Sequence, residues 1–200
     1  MMIIGLTGGI GAGKTTVSDY LKKKGYPVLD ADEVAREIVE PGSETLGELT
    51  RAFGKDILNP DGNLNRRFLA GIVFSDPEKK KIIDGIMHGK IIDTLLKRAR
   101  SMEEEPFVFI DVPLLFETGM DRYVDQVWMV DAEEEIRIKR VMERDDSSRE
   151  DVLRRIRFQA GRDEKIKKAH IILNNSGVKE ILYRQIDEAL NKLRENELYE

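Results

Sequence analysis

Residues 5–17 read GLTGGIGAGKTTV. Glycine stands at Gly8, Gly9, Gly11 and Gly13, and a lysine and two threonines follow. Glycine is entropically costly to order, so a cluster of it marks a place where backbone must come close to something. Upstream, Met2–Leu6 (MIIGL) is a short apolar run that predicts a buried strand. Downstream, Lys14–Lys24 predicts a helix with Val17, Tyr20 and Leu21 on one face and Gly25 as its stop. Strand, glycine-rich turn and helix are the context in which Gly8-x-x-x-x-Gly13-Lys14-Thr15 reads as a phosphate-binding loop.

Each residue type in that loop has a physical reason. The N–H groups of Gly9, Ile10, Gly11, Ala12 and Gly13 are expected to form an anion nest, which needs backbone angles that glycine adopts freely. The helix beginning near Lys14 adds its unpaired N–H groups and the positive end of its dipole, with Thr15 and Thr16 in its first turn. Lys14 reaches the outer phosphates as a mobile charge, and the Thr15 hydroxyl is the expected protein ligand of Mg²⁺, the rest of whose shell is water or phosphate. The predicted ligand is therefore a nucleoside triphosphate.

The rest of the chain alternates in the same way. Tyr26–Leu29, Phe107–Asp111, Gln126–Val130 and His170–Leu173 predict four more short apolar strands. Helices are predicted over Asp32–Val39, around Leu46, Leu49 and Phe53, along Ile82–Leu96, and from Glu133 to about Gln159. The last, Val178–Arg194, should turn Val178, Ile181, Leu182, Ile186, Ala189, Leu190 and Leu193 inward. Short apolar strands separated by helices predict an α/β fold with a parallel sheet covered on both faces, interrupted by a helical insertion over residues 31–105.

The 200 residues suit one domain with an inserted subdomain. An apolar fraction of 40% with 36% charged residues reads as globular, and no run approaches the roughly 20 apolar residues of a membrane span. The start, MMIIGLTGG, has no basic region ahead of its apolar run, which argues against a signal peptide. Without cysteine the chain has neither disulfides nor a thiolate metal site and fits a reducing compartment. A net charge of −5 argues against a dedicated nucleic-acid binder. We expect a cytoplasmic protein without membrane or nucleic-acid partners, a monomer or weak homo-oligomer.

A phosphate loop does not name a reaction. A guanine-nucleotide switch would carry N-K-x-D, but Asn191-Lys192 is followed by Leu193-Arg194. A kinase needs a group to orient an acceptor hydroxyl. Asp30 and Asp32 follow the second predicted strand, on the side of the sheet where ligands sit in such folds. Either could instead cap the next helix. Arginine also predominates over lysine between Arg137 and Arg162, which suits a lid closing over phosphates or an ion-paired solvated helix.

Several segments together resemble the dephospho-CoA kinase family. They are GLTGGIGAGKTTV at 5–17, DAD-x-x-AR at 30–36, EPG at 40–42, DGNLNRR at 61–67, MH at 87–88, PLLFE at 113–117, RVMERDDSSRED at 140–151 and NN-x-G at 174–177. The resemblance implies a three-layer P-loop NTPase fold with strand order 2-3-1-4-5. It implies a single kinase domain over 1–200, with a core at 1–30, 106–139 and 165–200, a substrate subdomain at 31–105 and a lid at 140–164. The implied reaction is phosphorylation of the ribose 3′-hydroxyl of dephospho-CoA by MgATP; another nucleoside or nucleoside-monophosphate kinase is the alternative.

The resemblance also implies residue roles. Asp32 is the implied base, acting with Lys14 and Arg144 on the transferring group. Arg140 and Asn175 fall near the nucleotide. Arg36, Arg66, His88 and the run Pro113, Leu114, Leu115 to Glu117 fall toward dephospho-CoA. Two positions depart from the pattern: His88 is followed by Gly89 where proline is usual, and Asn65 stands where aspartate commonly precedes the two arginines. Asp111 is left open, as a holder of a Mg²⁺-bound water, and Trp128 reads as core.

Overall fold

The computed structural model describes residues 1–74 and 76–197. These form two compact units, one of residues 1–29 with 102–197 and the other of residues 30–74 with 76–101.

The first unit is built on a five-stranded sheet of β1 (Met2–Gly8), β2 (Val28–Asp30), β3 (Phe107–Asp111), β4 (Gln126–Asp131) and β5 (Ile171–Asn174). Its order is β2-β3-β1-β4-β5, with β1 parallel to β3 and β4, and β4 parallel to β5. Parallel strands need covered faces, which is why β1, β3 and β4 are nearly uniformly apolar and buried. On one face Ile4, Leu6, Phe109, Trp128 and Val130 meet Val17 and Leu21 of α1 (Lys14–Lys23) and Leu182, Ile186 and Leu190 of α9 (Lys179–Glu197). Trp128 is core, fully buried and edge-on to Phe109 at 5.2 Å.

Three further helices of this unit follow β4: α6 (Glu134–Asp145), α7 (Arg149–Arg157) and α8 (Arg162–Lys168). The continuous helix expected to about Gln159 is interrupted. Asp146 takes a left-handed conformation at φ 48°, and Ser148 caps the next helix by accepting the Asp151 N–H. Those local hydrogen bonds of Asp and Ser compete with helix continuation. In α9 the inward stripe is also shorter than expected. Val178 precedes the helix and is 60% exposed, and Ile181 in its first turn is 52% exposed.

The second unit packs α2 (Ala31–Glu37), α3 (Glu44–Phe53), α4 (Arg66–Phe74) and α5 (Pro77–Arg100) around Val39, Leu49, Ile57 and Leu69. Helix α4 was not legible in the sequence, because Gly71, Ile72 and Val73 weaken its helix propensity. Its cue is Asn65, whose Oδ1 accepts the Phe68 N–H at 3.0 Å. Helix α5 passes unbroken through Gly89, where an added β-carbon would meet nothing within 4 Å.

Candidate active site

The phosphate loop joins β1 to α1. Gly11 and Gly13 have φ of 77° and 92°, so these two positions need glycine's conformational freedom. Close approach explains the other two, and what approaches is the protein itself. A β-carbon at Gly8 would lie 2.7 Å from the Val130 carbonyl oxygen, and one at Gly9 2.6 Å from an Arg137 guanidinium nitrogen. The sequence reading attributed the glycines to the ligand alone; packing against β4 and α6 is a second cause.

Three side chains brace the loop from outside. Arg137 donates from Nε to the Ile10 carbonyl at 3.0 Å. Gln159 accepts the Ile10 N–H on Oε1, also at 3.0 Å. Asn175 donates from Nδ2 to the Ala12 carbonyl at 2.7 Å. Arg137 is 5% exposed, and burial lowers its pKa against the opposing pull of Asp131 and Glu134. Arginine stays charged regardless, so a positive charge lies fixed behind the loop. Arg137 and Gln159 were missed in the sequence, since an arginine and a glutamine in a charge-rich helical region carry no local signature.

Lys14, in the first turn of α1, is ion-paired with Asp111 at the end of β3. Asp111 is buried at 4% exposure and also accepts the Ser18 hydroxyl, while Ser18 Oγ donates to the Lys14 carbonyl as well. Asp111, left open above, thus holds the lysine and the helix turn beneath it. Thr15 is exposed in the same turn, and Thr16 is half-buried.

Arg140 in α6 donates from Nη2 to the Asn175 carbonyl at 2.9 Å. Its Nη1 is buried without a hydrogen-bond partner and would lie 3.8 Å from a β-carbon on Gly13. A buried, unpaired donor beside a phosphate loop is suited to an acceptor atom brought by a ligand. Arg144 is differently placed. It is exposed and paired with its neighbour Asp145 at 2.7 and 3.0 Å, and Arg155 joins the same carboxylate at 2.5 Å. Hydrogen bonds from Arg144 and then Arg155 hold the Asp145 carboxyl well below the usual range.

The loop after β3 carries Pro113, Leu114 and Leu115. Leu115 is fully buried over Gly5 of β1, whereas Leu114 is 43% exposed. The Pro113 carbonyl lies 3.4 Å from the Thr7 hydroxyl that donates to it. Glu117 turns to the segment joining α7 and α8, accepting the Ala160 N–H at 2.8 Å and pairing with Lys165 of α8 at 2.8 Å. Burial alone would raise the Glu117 pKa, but Lys165 and the Ala160 N–H overcome it and hold it below its ordinary value.

In the helical unit, Asp30 caps α2, accepting the N–H groups of Asp32 and Glu33 at 2.7 and 3.1 Å. The capping role that the sequence left open between two aspartates belongs to Asp30, and Asp32 stands exposed in the first turn. Arg36 is exposed at the end of the same helix, and its carbonyl accepts from Arg66 Nη2 at 3.3 Å. His88 lies 3.4 Å from Asp84, one turn earlier in α5.

Among the described residues no three His, Cys, Asp or Glu side chains cluster so as to hold a metal ion. A single hard hydroxyl at Thr15 beside the loop fits a Mg²⁺ ion that arrives with a triphosphate. No helix of the described residues is long and apolar enough to cross a membrane.

The family model for dephospho-CoA kinase matches residues 2–180. A dephospho-CoA kinase from Shouchella clausii is 39% identical over 193 residues, 96% of this chain and 98% of the relative. Two solved structures are similar as well. A crystal structure from Thermus thermophilus is 42% identical with a TM-score of 0.84, covering 96% of this chain and 97% of the other. A dephospho-CoA kinase from Campylobacter jejuni is 26% identical with a TM-score of 0.75, covering 98% of both chains.

Proposed function

The chain belongs to the dephospho-CoA kinase family, and from that premise we propose how its residues move the γ-phosphoryl group of ATP to the ribose 3′-hydroxyl of dephospho-CoA. The products are CoA and ADP. The observation that carries the nucleotide half is the glycine loop, in which Gly11 and Gly13 take left-handed conformations directly ahead of α1, with Lys14 in the first turn of that helix.

In this reading the N–H groups of Gly11, Gly13, Lys14 and Thr15 hold the triphosphate, because those of Ile10, Ala12 and Thr16 are taken by Gln159 and by the Gly9 and Gly13 carbonyls, which corrects the expected nest. Lys14 moves from Asp111 toward the outer phosphates. Arg140 supplies a donor at the nucleotide, with Asn175 fixing both it and the loop. Asp32 orients the 3′-hydroxyl and accepts its proton as the new P–O bond forms. Its support is its place in the first turn of α2, directly after the end of β2. Arg144 exchanges Asp145 for the transferring group, and Arg36, Arg66, His88 and Pro113 to Leu115 contact the acceptor. Magnesium bound with ATP, with Thr15 as its protein ligand, supplies neutralisation of phosphate charge. Positioning and electrostatics provide most of the acceleration in such a transfer. We place the enzyme in the cytoplasm, working as a monomer or weak homo-oligomer without nucleic acid or membrane.

The test is ADP release from MgATP with dephospho-CoA as acceptor, beside AMP, CMP, uridine and no acceptor. Release that requires dephospho-CoA, with CoA as co-product, is expected. Release driven by another acceptor overturns the substrate assignment, and slow release without any acceptor overturns the kinase reading.

A further inference from the structure

The segment joining α7 to α8 is tied to two other parts of the first unit. Gln159 Oε1 accepts the Ile10 N–H at 3.0 Å, and one residue on, the Ala160 N–H donates to Glu117 at 2.8 Å. The same carboxylate pairs with Lys165 of α8 at 2.8 Å, and Lys165 is only 2% exposed. A lysine so buried is rare unless paired, because desolvating its ammonium costs several kcal/mol. Lys165 Nζ holds Glu117 by charge at ion-pair distance without a directed hydrogen bond, and the directed bond from the Ala160 N–H to that carboxylate fixes the backbone beside Gln159.

Ile10 is held at two successive peptide units, the N–H of Gly9–Ile10 by Gln159 and the carbonyl of Ile10–Gly11 by Arg137. Gly11 follows, and its positive φ of 77° begins the inward turn of the loop. A rotation of the Gly9–Ile10 unit, which Gln159 resists, would pass through Ile10 to that turn and shift the N–H groups that face the phosphates. Gln159 also borders a cavity of about 420 Å³ with Gly9, Arg137 and Arg162.

We propose that Gln159 is a positioning residue for phosphoryl transfer, and that the Glu117–Lys165 pair acts through it by anchoring the segment from which it reaches Ile10. The proposal rests on residues 8–15 being the ATP site. Its action is on the pose of the loop's outer end, so it governs the rate of transfer more than the affinity for the nucleotide. Misplacement by about 1 Å is enough to slow such a reaction by as much as about a hundredfold.

The experiment compares three variants with the wild type: Gln159→Leu, the pair Glu117→Gln with Lys165→Met, and the triple variant. The pair is changed together because Glu117→Gln alone would strand a buried ammonium. Turnover at saturating MgATP and dephospho-CoA, the Kd for ATP without acceptor, and Tm are measured. Gln159→Leu is expected to lower kcat about tenfold or more while the Kd changes less than about threefold. The charge-pair variant should lose turnover to a similar degree, and the triple variant should be no slower than the slower parent. Gln159→Leu turning over within about twofold of wild type overturns the proposal, as do losses that multiply in the triple variant. So does a Kd that weakens in step with kcat. If the leucine variant does not fold, Gln159→Ala gives the same readout. A wild type without dephospho-CoA-dependent turnover would instead sink the reading of the site.

Discussion

Every residue from Gly8 to Gly13 touches some other part of the first unit, by a close approach at each glycine and by hydrogen bonds at Ile10 and Ala12. In the helical unit Asp32, Arg36 and Arg66 stand on exposed helix turns, and His88 meets Asp84 at only 3.4 Å. The phosphate loop is over-determined by the chain, so its geometry exists before a nucleotide arrives. Asp32, Arg36, Arg66 and His88 are positioned by local capping and helix geometry on exposed or half-buried turns. Preorganised groups lose little on binding, whereas exposed side chains are ordered by the ligand at an entropic cost. Substitutions at the loop should therefore change both stability and nucleotide affinity, and those in the helical unit should act on turnover and acceptor binding while leaving nucleotide affinity unchanged.

The largest expected effect comes from Lys14→Ala. It removes the phosphate-facing charge and leaves Asp111 buried without its cation, so kcat/KM should fall about a thousandfold or more, with weaker ATP binding and a lower Tm. Unchanged ATP affinity in a calorimetric titration would break the account of the loop. Next is Asp32→Asn, for which kcat should drop by about 10²- to 10⁴-fold with the Kd for ATP within about twofold of wild type. A parallel loss of ATP affinity would erase the distinction between the two regions.

Asn175→Ala leaves the Ala12 carbonyl without its donor, at a cost of about 1–3 kcal/mol in stability and a raised KM for ATP. Chemical denaturation together with initial rates separates those two effects. A smaller effect concerns pH. Because the Glu117 pKa is held below its ordinary 4.5, its pairing stabilises the folded state fully above about pH 4.5 and is lost as pH falls through the lower folded value. Denaturation midpoints between pH 6 and 3 should thus fall less steeply in the Glu117→Gln, Lys165→Met variant than in the wild type. The smallest expected change is Gly89→Ala, a gain of about 0.5–1 kcal/mol with activity intact, since the helix continues and the added methyl meets open space. Lost turnover in that variant would show that the His88 region needs glycine for more than helix geometry.

Much of this was legible in the sequence because it depends on local chemistry. The strand–loop–helix unit at 2–23 announces itself through short-range rules, and β3 is found at Phe107–Asp111 as expected. What escaped depends on tertiary contact. The use of Gly8 and Gly9 is set by Val130 and Arg137, residues of distant elements. Gln159 has no periodicity or motif to mark it; only folding reveals that it meets Ile10. The break at Asp146 was readable in principle, since Asp-Asp-Ser-Ser is rich in side chains that cap, but the flanking charge pattern masked it. Asp111 shows the same limit from the other side: a lone acid at a strand end is ambiguous until its lysine is seen.

The Asn175 brace also carries a consequence for how the protein is born. Asn175 and Ala12 are 163 residues apart in the chain. At roughly 5–20 residues per second, the glycine-rich stretch is synthesised about 8–33 s before the side chain that completes it. For the first part of that interval, until Gln126–Asp131 is made, β1 also lacks β4, its partner on one side, and is an apolar strand with an open edge. Nucleotide competence should thus appear only near the end of synthesis, and nascent chains stalled before Asn175 should be unable to retain ATP.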